Sequence, residues 1–345
     1  MPDMTGSVVV VGGGTAGMEA AGQLAKAGLS VTLIEKEKYL GGHLREWHHL
    51  FPDRRPGDEV LSYLKNQIIH NNIRLLTGEG VEGFQKRGND FIINTRSGDV
   101  VKADAVLLTT GFDLFRSERK EEYGYGIYDN VITSSDLEEM FHSGEIMMKN
   151  GEKPEKIGIV HCVGSRDEKV GNLYCSKLCC VTAVKQAIEL KEALNKCKVF
   201  CFYMDMRMGG ALYEELYREA QEKYGITFIR GKVSEVGVNF SKRLVIKAED
   251  TLAGRPLKME LDLLVLMAGM EMSAEGLKLA EAGKLEIGEN RFFAASDNHF
   301  GSNKSNLKGL FYAGTCTAPM NITETISHAR SAVSDIINYM NSDRK

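Results

Sequence analysis

Four cysteines fall within nineteen residues, spaced C-x12-C-x3-C-C at Cys162, Cys175, Cys179 and Cys180. Thiolates are soft ligands, so four in one short segment suit an iron–sulfur cluster or zinc. Zinc sites commonly space their ligands as paired C-x2-4-C knuckles, which the adjacent Cys179 and Cys180 fit poorly. The pattern therefore favours a [4Fe–4S] cluster, with zinc, a redox dithiol needing only two of the four, and buried thiols without a ligand as the alternatives.

A second constellation is Gly12-x-Gly14-x-x-Gly17, between an apolar β-branched run at 8–11 and a helix-forming run at 18–27 that stops at Gly28. Gly12 permits a tight turn, Gly14 lets the backbone approach a pyrophosphate, and Gly17 lets the helix pack closely on the strand. The helix N-terminus offers N–H donors and about half a positive charge to the phosphates. Glu35 closes the next strand eighteen positions after Gly17, where a carboxylate can accept hydrogen bonds from a ribose. Gly41-Gly42, Thr109-Thr110-Gly111 and Gly309-Leu-Phe-Tyr-Ala-Gly-Thr315 point to FAD rather than NAD as the dinucleotide.

These groups must be positioned by a chain of 345 residues, beyond the roughly 250–300 at which single cores tend to split, so two joined domains are predicted. With 43% hydrophobic and 26% charged residues the composition is globular, and a net charge of -4 without dense basic runs predicts no nucleic-acid or anionic-lipid partner. The longest apolar runs fall far short of about 20 residues, so no membrane span is predicted, and no signal-peptide pattern opens the chain. The expected location is the cytoplasm, where disulfides are rare.

The unbroken apolar strands around the first helix suit a parallel sheet buried on both faces. Strands are expected at 91–95 and 99–108, joined by a turn at Ser97-Gly98. A second βαβ unit follows: a strand at 156–160, the cysteine segment, a helix at 181–194 and a strand at 198–203. Beyond it come a helix near 211–224, a strand near 227–230, an apolar run at 261–268, a strand at 309–313 and a helix from about Thr323. No internal repeat is legible.

The four flavin-type elements, in this order, resemble the two-dinucleotide-binding-domain flavoproteins of the glutathione reductase and thioredoxin reductase superfamily. That family usually ends its C-terminal motif in Ala-Gly-Asp, where this chain has Ala313-Gly314-Thr315. A second nucleotide loop would follow the strand at 156–160, but the chain reads His161-Cys-Val-Gly-Ser-Arg166. The cysteine motif, the Ala-Val-Lys-Gln-Ala run after it, Tyr-Met-Asp-Met-Arg at 203–207 and the segment at 313–329 narrow the resemblance to the flavin-bearing A subunits of CoB–CoM heterodisulfide reductase and their relatives. The ferredoxin-type repeats of the methanogen forms are absent, so the resemblance is to the short core-only form in the heterodisulfide-reductase-like complexes of sulfur oxidisers.

The resemblance implies an α/β, thioredoxin reductase-like fold whose second Rossmann-like domain carries the iron–sulfur site, with an FAD domain from 1–120 and 269–345 around a second domain at 121–268. It implies FAD held by Gly12, Gly14, Thr15, Ala16, Gly17, Glu35, Lys36, Gly42, His43, Val81, Thr110, Gly111, Gly314, Thr315 and Ile322, and a [4Fe–4S] cluster on the four cysteines. It implies an oxidoreductase component of sulfur metabolism, working with partner subunits of B and C type and forming a homodimer. The competing functions are a stand-alone flavin disulfide reductase and a flavoprotein whose role in its complex is largely structural. Bifurcation is not carried over, because it depends on flavin potentials.

Lys185, five positions past Cys180, is the expected charge-stabilising residue if its helix points at the isoalloxazine; the plain alternative is a solvated lysine. His43, His48 and His49 are read as polar lining of the cofactor mouth, since no acid or cysteine nearby in sequence completes a ligand set, and Trp47 as packing. Cys197 and Cys201 read as core thiols, Cys316 as either a flavin contact or a buried thiol, and Tyr213, Tyr217 and Tyr224 as an apolar helix face.

Overall fold

The structure is a computed structural model that describes residues 6–343. The first five residues, on which the reading of the chain start partly rests, lie outside the described residues. The chain forms two compact units: one from residues up to Arg45, Asp58–Asp113 and Glu271 onward, the other from Glu46–Gly57 and Leu114–Met270.

In the first unit a parallel five-stranded sheet has the order Leu310–Tyr312, Ala105–Leu108, Ser7–Val11, Ser30–Glu35, Ile73–Thr77. Val8, Val9, Val10 and Val11 are all buried, as a central strand covered on both faces requires. The helix Thr15–Lys26 follows at once, its interior almost free of β-branched residues, and Gly28 at φ +95° ends it. It starts three residues before the expected 18 because Gly14, still extended, is its N-cap.

The expected single strand at 99–108 is two strands. Asp104 Oδ2 accepts from the Ser7 amide (2.7 Å) and hydroxyl (3.1 Å), and this contact marks the break. Before it, Val100–Ala103 pairs antiparallel with Asp90–Thr95; after it, Ala105–Leu108 runs parallel beside Ser7–Val11.

The second unit is built the same way. Its parallel sheet has the order Val131–Thr133, Leu263–Ala268, Lys156–Val163, Lys198–Tyr203, Thr227–Arg230. An antiparallel sheet of Val233–Val238, Leu244–Asp250 and Arg255–Leu261 matches the Val81–Arg87, Asp90–Thr95, Val100–Ala103 sheet of the first unit. The helix Cys179–Ala193 begins two residues earlier than expected and so includes Cys179 and Cys180. The tyrosine helix is Tyr213–Glu222; Tyr213 meets Phe51 and Tyr217 meets Phe228 edge-on, while Tyr224 lies beyond its end.

A methyl group at Gly17 would lie 1.8 Å from the Gly12 carbonyl oxygen, so the helix cannot keep its distance from the turn with any larger residue. Gly17→Ala is expected to lower stability by about 1–3 kcal/mol or more, read as a shift in the urea midpoint.

Candidate functional site

Most of the residues expected to hold the dinucleotide meet at the C-terminal ends of the first unit's parallel strands. The Gly12 turn has φ +108°, and a Cβ there would lie 2.4 Å from the Thr109 carbonyl oxygen. Thr109 Oγ1 donates to the carbonyls of Val11 (2.9 Å) and Gly12 (2.8 Å), locking the Thr-Thr-Gly element against the glycine loop. At Gly14 a Cβ would meet nothing within 4 Å, and no side chain caps the helix that Gly14 begins. The loop thus presents open backbone at the positive end of a helix.

Glu35 Oε2 accepts from the Gly13 amide (2.6 Å) and Oε1 from the Glu37 amide (2.8 Å), so its carboxylate is fixed at the loop. Gly42 comes within reach of Gly14, and His43 Nε2 lies 3.0 Å from the Phe112 carbonyl, its ring stacked on Phe112. The turn at Gly314 packs on Ala16, and Thr315 is the neighbour of Gly111. Thr110 Oγ1 is buried with no hydrogen-bond partner among the described residues. Lys36 is exposed at the strand end. Val81 is buried and pairs with Thr95 in the antiparallel sheet; Ile322 is the first residue of the C-terminal helix, whose N-terminus is closed by the Asn321–Glu324 capping box.

Cys316 is a buried thiol held inside its turn, donating to the carbonyls of Ala313 (3.3 Å) and Leu108 (3.4 Å); burial pushes it up to about 12. Cys197 and Cys201 are likewise buried, and burial raises both.

Sequence reasoning missed His328. Its Nδ1 accepts from the Gly314 amide (3.1 Å), and burial lowers its pKa, against a hydrogen bond to the Ser302 backbone.

In the second unit the cysteine segment connects the central strand Lys156–Val163 to the helix Cys179–Ala193, the strand-to-helix junction where open α/β sheets bind ligands. Cys162, Arg166 and Lys177 all have φ between +53° and +59°, a left-handed backbone that non-glycine residues adopt at a cost. Cys162, Cys179 and Cys180 are buried and Cys175 is half-buried. The thiols act on one another: burial raises Cys162 to about 11, the nearby Cys180 and Cys175 add to it, and Arg166 opposes it. Cys179 is raised by burial and then by all three other cysteines. Arg166 pairs with Asp205 (2.7 Å) at the rim. His161, just before Cys162, is fully enclosed, with neither ring nitrogen partnered among the described residues, and burial lowers it to about 4.

Lys185 is not solvated. Its ammonium is buried and bonds to Glu138 Oε1 (2.6 Å) and the His49 carbonyl (3.0 Å), with Glu189 Oε2 at 3.2 Å. Gln186 Nε2 donates to the same Glu138 oxygen (2.7 Å) and to the Ser134 carbonyl (2.9 Å). His48 and His49 lie beside Glu189, so a residue 140 positions from His49 supplies the acid that was missing nearby in sequence. Burial lowers the His48 pKa, and the adjacent His49 and His142 add to this.

Glu138 was missed because it lies 47 positions from Lys185, and Glu189, although four positions past Lys185 on the same helix, because its histidine partners lie about 140 positions away. The local signals were the i,i+4 spacing of Lys185 and Glu189 and Thr133-x-x-Asp136, the capping box that starts the helix carrying Glu138.

Likeness to known proteins identifies the fold. The pyridine nucleotide-disulphide oxidoreductase family model matches residues 3–127. Thioredoxin reductase from T. acidophilum covers 97% of this chain and 98% of its own at a TM-score of 0.68 and 20% identity. That from Lactococcus lactis covers 97% and 99% at 0.69 and 18%. The fold is the two-domain, mixed α/β fold of thioredoxin reductase-like flavoproteins.

In sequence, the iron-sulfur A subunit of the CoB--CoM heterodisulfide reductase of Methanocaldococcus jannaschii is 30% identical, over 96% of this chain and 64% of its own length. The A subunit of the H(2)/formate:CoB-CoM heterodisulfide,ferredoxin reductase of Methanococcus maripaludis is 37% identical, over 68% of this chain and 37% of its own. The chain is related to these oxidoreductase A subunits and spans less than two thirds of their length. No helix among the described residues is long and apolar enough to cross a membrane.

His328 gives a pH signature. Its folded pKa is depressed, so the unfolded chain takes up the proton first, and stability present above about 6.5 is lost as pH falls below it. Between pH 7 and pH 5 the urea midpoint of the wild type is expected to fall more than that of His328→Gln.

Proposed function

We propose that the chain is the FAD and [4Fe–4S] electron-transfer component of a heterodisulfide-reductase-like complex. It relays electrons between a thiol or disulfide substrate, handled by partner subunits of B and C type, and another carrier. The observation that carries this reading is the four-thiol segment at the strand-to-helix junction, where a second nucleotide loop would otherwise lie. The reading concerns this core and holds whatever flanks it.

The residues fit both groups. The open backbone at Gly14, the uncapped helix start and the orphaned Thr110 hydroxyl suit a bound dinucleotide. Four mutually interacting thiols suit a soft polynuclear cluster. Mononuclear zinc, with bonds of about 2.3 Å, would draw sulfurs to within roughly 4 Å of one another. The set of donor atoms gathered within 4.8 Å among the described residues is instead His48, His49 and Glu189.

When bound, the flavin supplies exchange between two-electron and one-electron chemistry, and the cluster supplies one-electron transfer. The chain's residues do the rest. The Gly12–Gly17 loop binds the pyrophosphate, Glu35 orients a ribose, and Thr315 with the turn amides replaces the family's aspartate. Cys162, Cys175, Cys179 and Cys180 would ligate the cluster, three of them from buried positions and Cys175 from a half-buried one. Lys185, held buried by Glu138 and Glu189, is the residue we assign to stabilising charge on the reduced flavin. Homodimerisation and a cytoplasmic location belong to the same reading.

Anaerobically purified protein is expected to hold about four irons and one FAD per chain, with Cys179→Ser losing iron and keeping FAD. FAD without iron, together with rapid NAD(P)H oxidation, would instead identify a self-sufficient disulfide reductase. Lys185→Ala is expected to shift the flavin potentials negative in potentiometric titration; unchanged potentials would remove Lys185 from the mechanism.

A further inference from the structure

The segment Glu46–Gly57 forms a short arm of the second unit, with strands His49–Leu50 and Arg55–Pro56 paired antiparallel. It lies against the helix Cys179–Ala193 through Glu189 and two histidines, His48 and His49, that the proposed electron relay does not use. His49 Nδ1 lies 2.7 Å from Glu189 Oε1, and His48 Nδ1 lies 3.7 Å from the same oxygen. The His48 nitrogen is buried and makes no hydrogen bond among the described residues. All three donor atoms lie within 4.8 Å of one another.

We propose that His48, His49 and Glu189 bind a divalent transition-metal ion of the zinc type, which clips the arm to the helix. The donor set is chemically apt: two imidazoles and one carboxylate suit zinc, with bonds of about 2.0–2.2 Å. Tetrahedral ligation at that length places donors roughly 3.3–3.5 Å apart. The observed 2.7 and 3.7 Å bracket that spacing, so small rotations of the side chains complete the site. His49 Nδ1 then gives up its proton and carries it on Nε2.

The local charge also favours a cation. Glu138 and Glu189 together bring two negative charges, and Lys185 offsets only one. His48 and His49 are 35% and 29% exposed while Glu189 is 4% exposed, so an ion can enter from the histidine side and meet a buried carboxylate. His142 stands edge-on to His48, 5.4 Å between ring centres, as a further imidazole at the rim. The site is separate from the four thiols, although Glu189 shares the helix that begins with Cys179.

The test uses the full chain with its cofactors in place, freed of loosely held metal, and Zn2+ as the probe. Equilibrium dialysis is expected to find one tight site per chain. X-ray absorption at the zinc edge is expected to show a nitrogen and oxygen shell at about 2.0–2.1 Å, with no sulfur at about 2.3 Å. His49→Ala keeps the backbone carbonyl that Lys185 uses, and is expected to weaken zinc binding at least about tenfold. Zn2+ is expected to raise the thermal midpoint of the wild type more than that of His49→Ala. No saturable binding, a sulfur shell, or equal affinity in His49→Ala would overturn the proposal. Iron content and flavin reduction are read separately on the same samples, so failure of the clip leaves the electron-relay reading standing, and the reverse.

Discussion

A buried ammonium must be matched by carboxylate, and in the second unit that constraint fixes several elements at once. Lys185, Glu138 and Glu189 are nearly water-free, and each charge taken from water carries a penalty of several kcal/mol that only close partners offset. Lys185 draws the helix Cys179–Ala193 to Glu138 on the helix Ser134–Ser143 and to the carbonyl of His49 in the arm. Gln186, one residue on, fastens the same helix to Ser134. The helix so anchored is the one that begins with two of the four clustered cysteines, so the ion network sets where those thiols sit.

The two units use one architecture for two kinds of chemistry. Each has a five-stranded parallel sheet and a three-stranded antiparallel sheet, with the working loop after a central strand. In the first unit that loop is glycine-rich and exposes backbone N–H groups, which suit phosphate. In the second it is long, strained at Cys162, Arg166 and Lys177, and lined with thiols. The electrostatics differ accordingly: a helix end offers the first site its positive field, while the second is dominated by burial and by the thiols' effect on one another.

The parts legible in sequence are those fixed by local rules. The strand, glycine loop, helix and Glu35 lie within thirty consecutive residues, and their roles follow from spacing alone. The spacing of the four cysteines was equally plain. The second antiparallel sheet was not, because its strands at 233–261 are short alternating segments whose pairing with one another the spacing does not announce. Nor was the division at Asp104, whose partner Ser7 is 97 positions away. The setting of Lys185 was hidden for the same reason: a lysine on a helix reads as solvated until a distant carboxylate, here Glu138, is brought to it.

The arm Glu46–Gly57 carries a consequence for the order of assembly. The carbonyl of His49 leaves the ribosome 136 residues before the lysine it will hold, so the arm's docking is among the most nonlocal contacts of the second unit. Closing so long a loop costs entropy that nearby contacts do not. The second unit therefore cannot complete itself from its own continuous stretch. The helix of Cys179 and Cys180 gains its contacts with the arm only when that long loop closes.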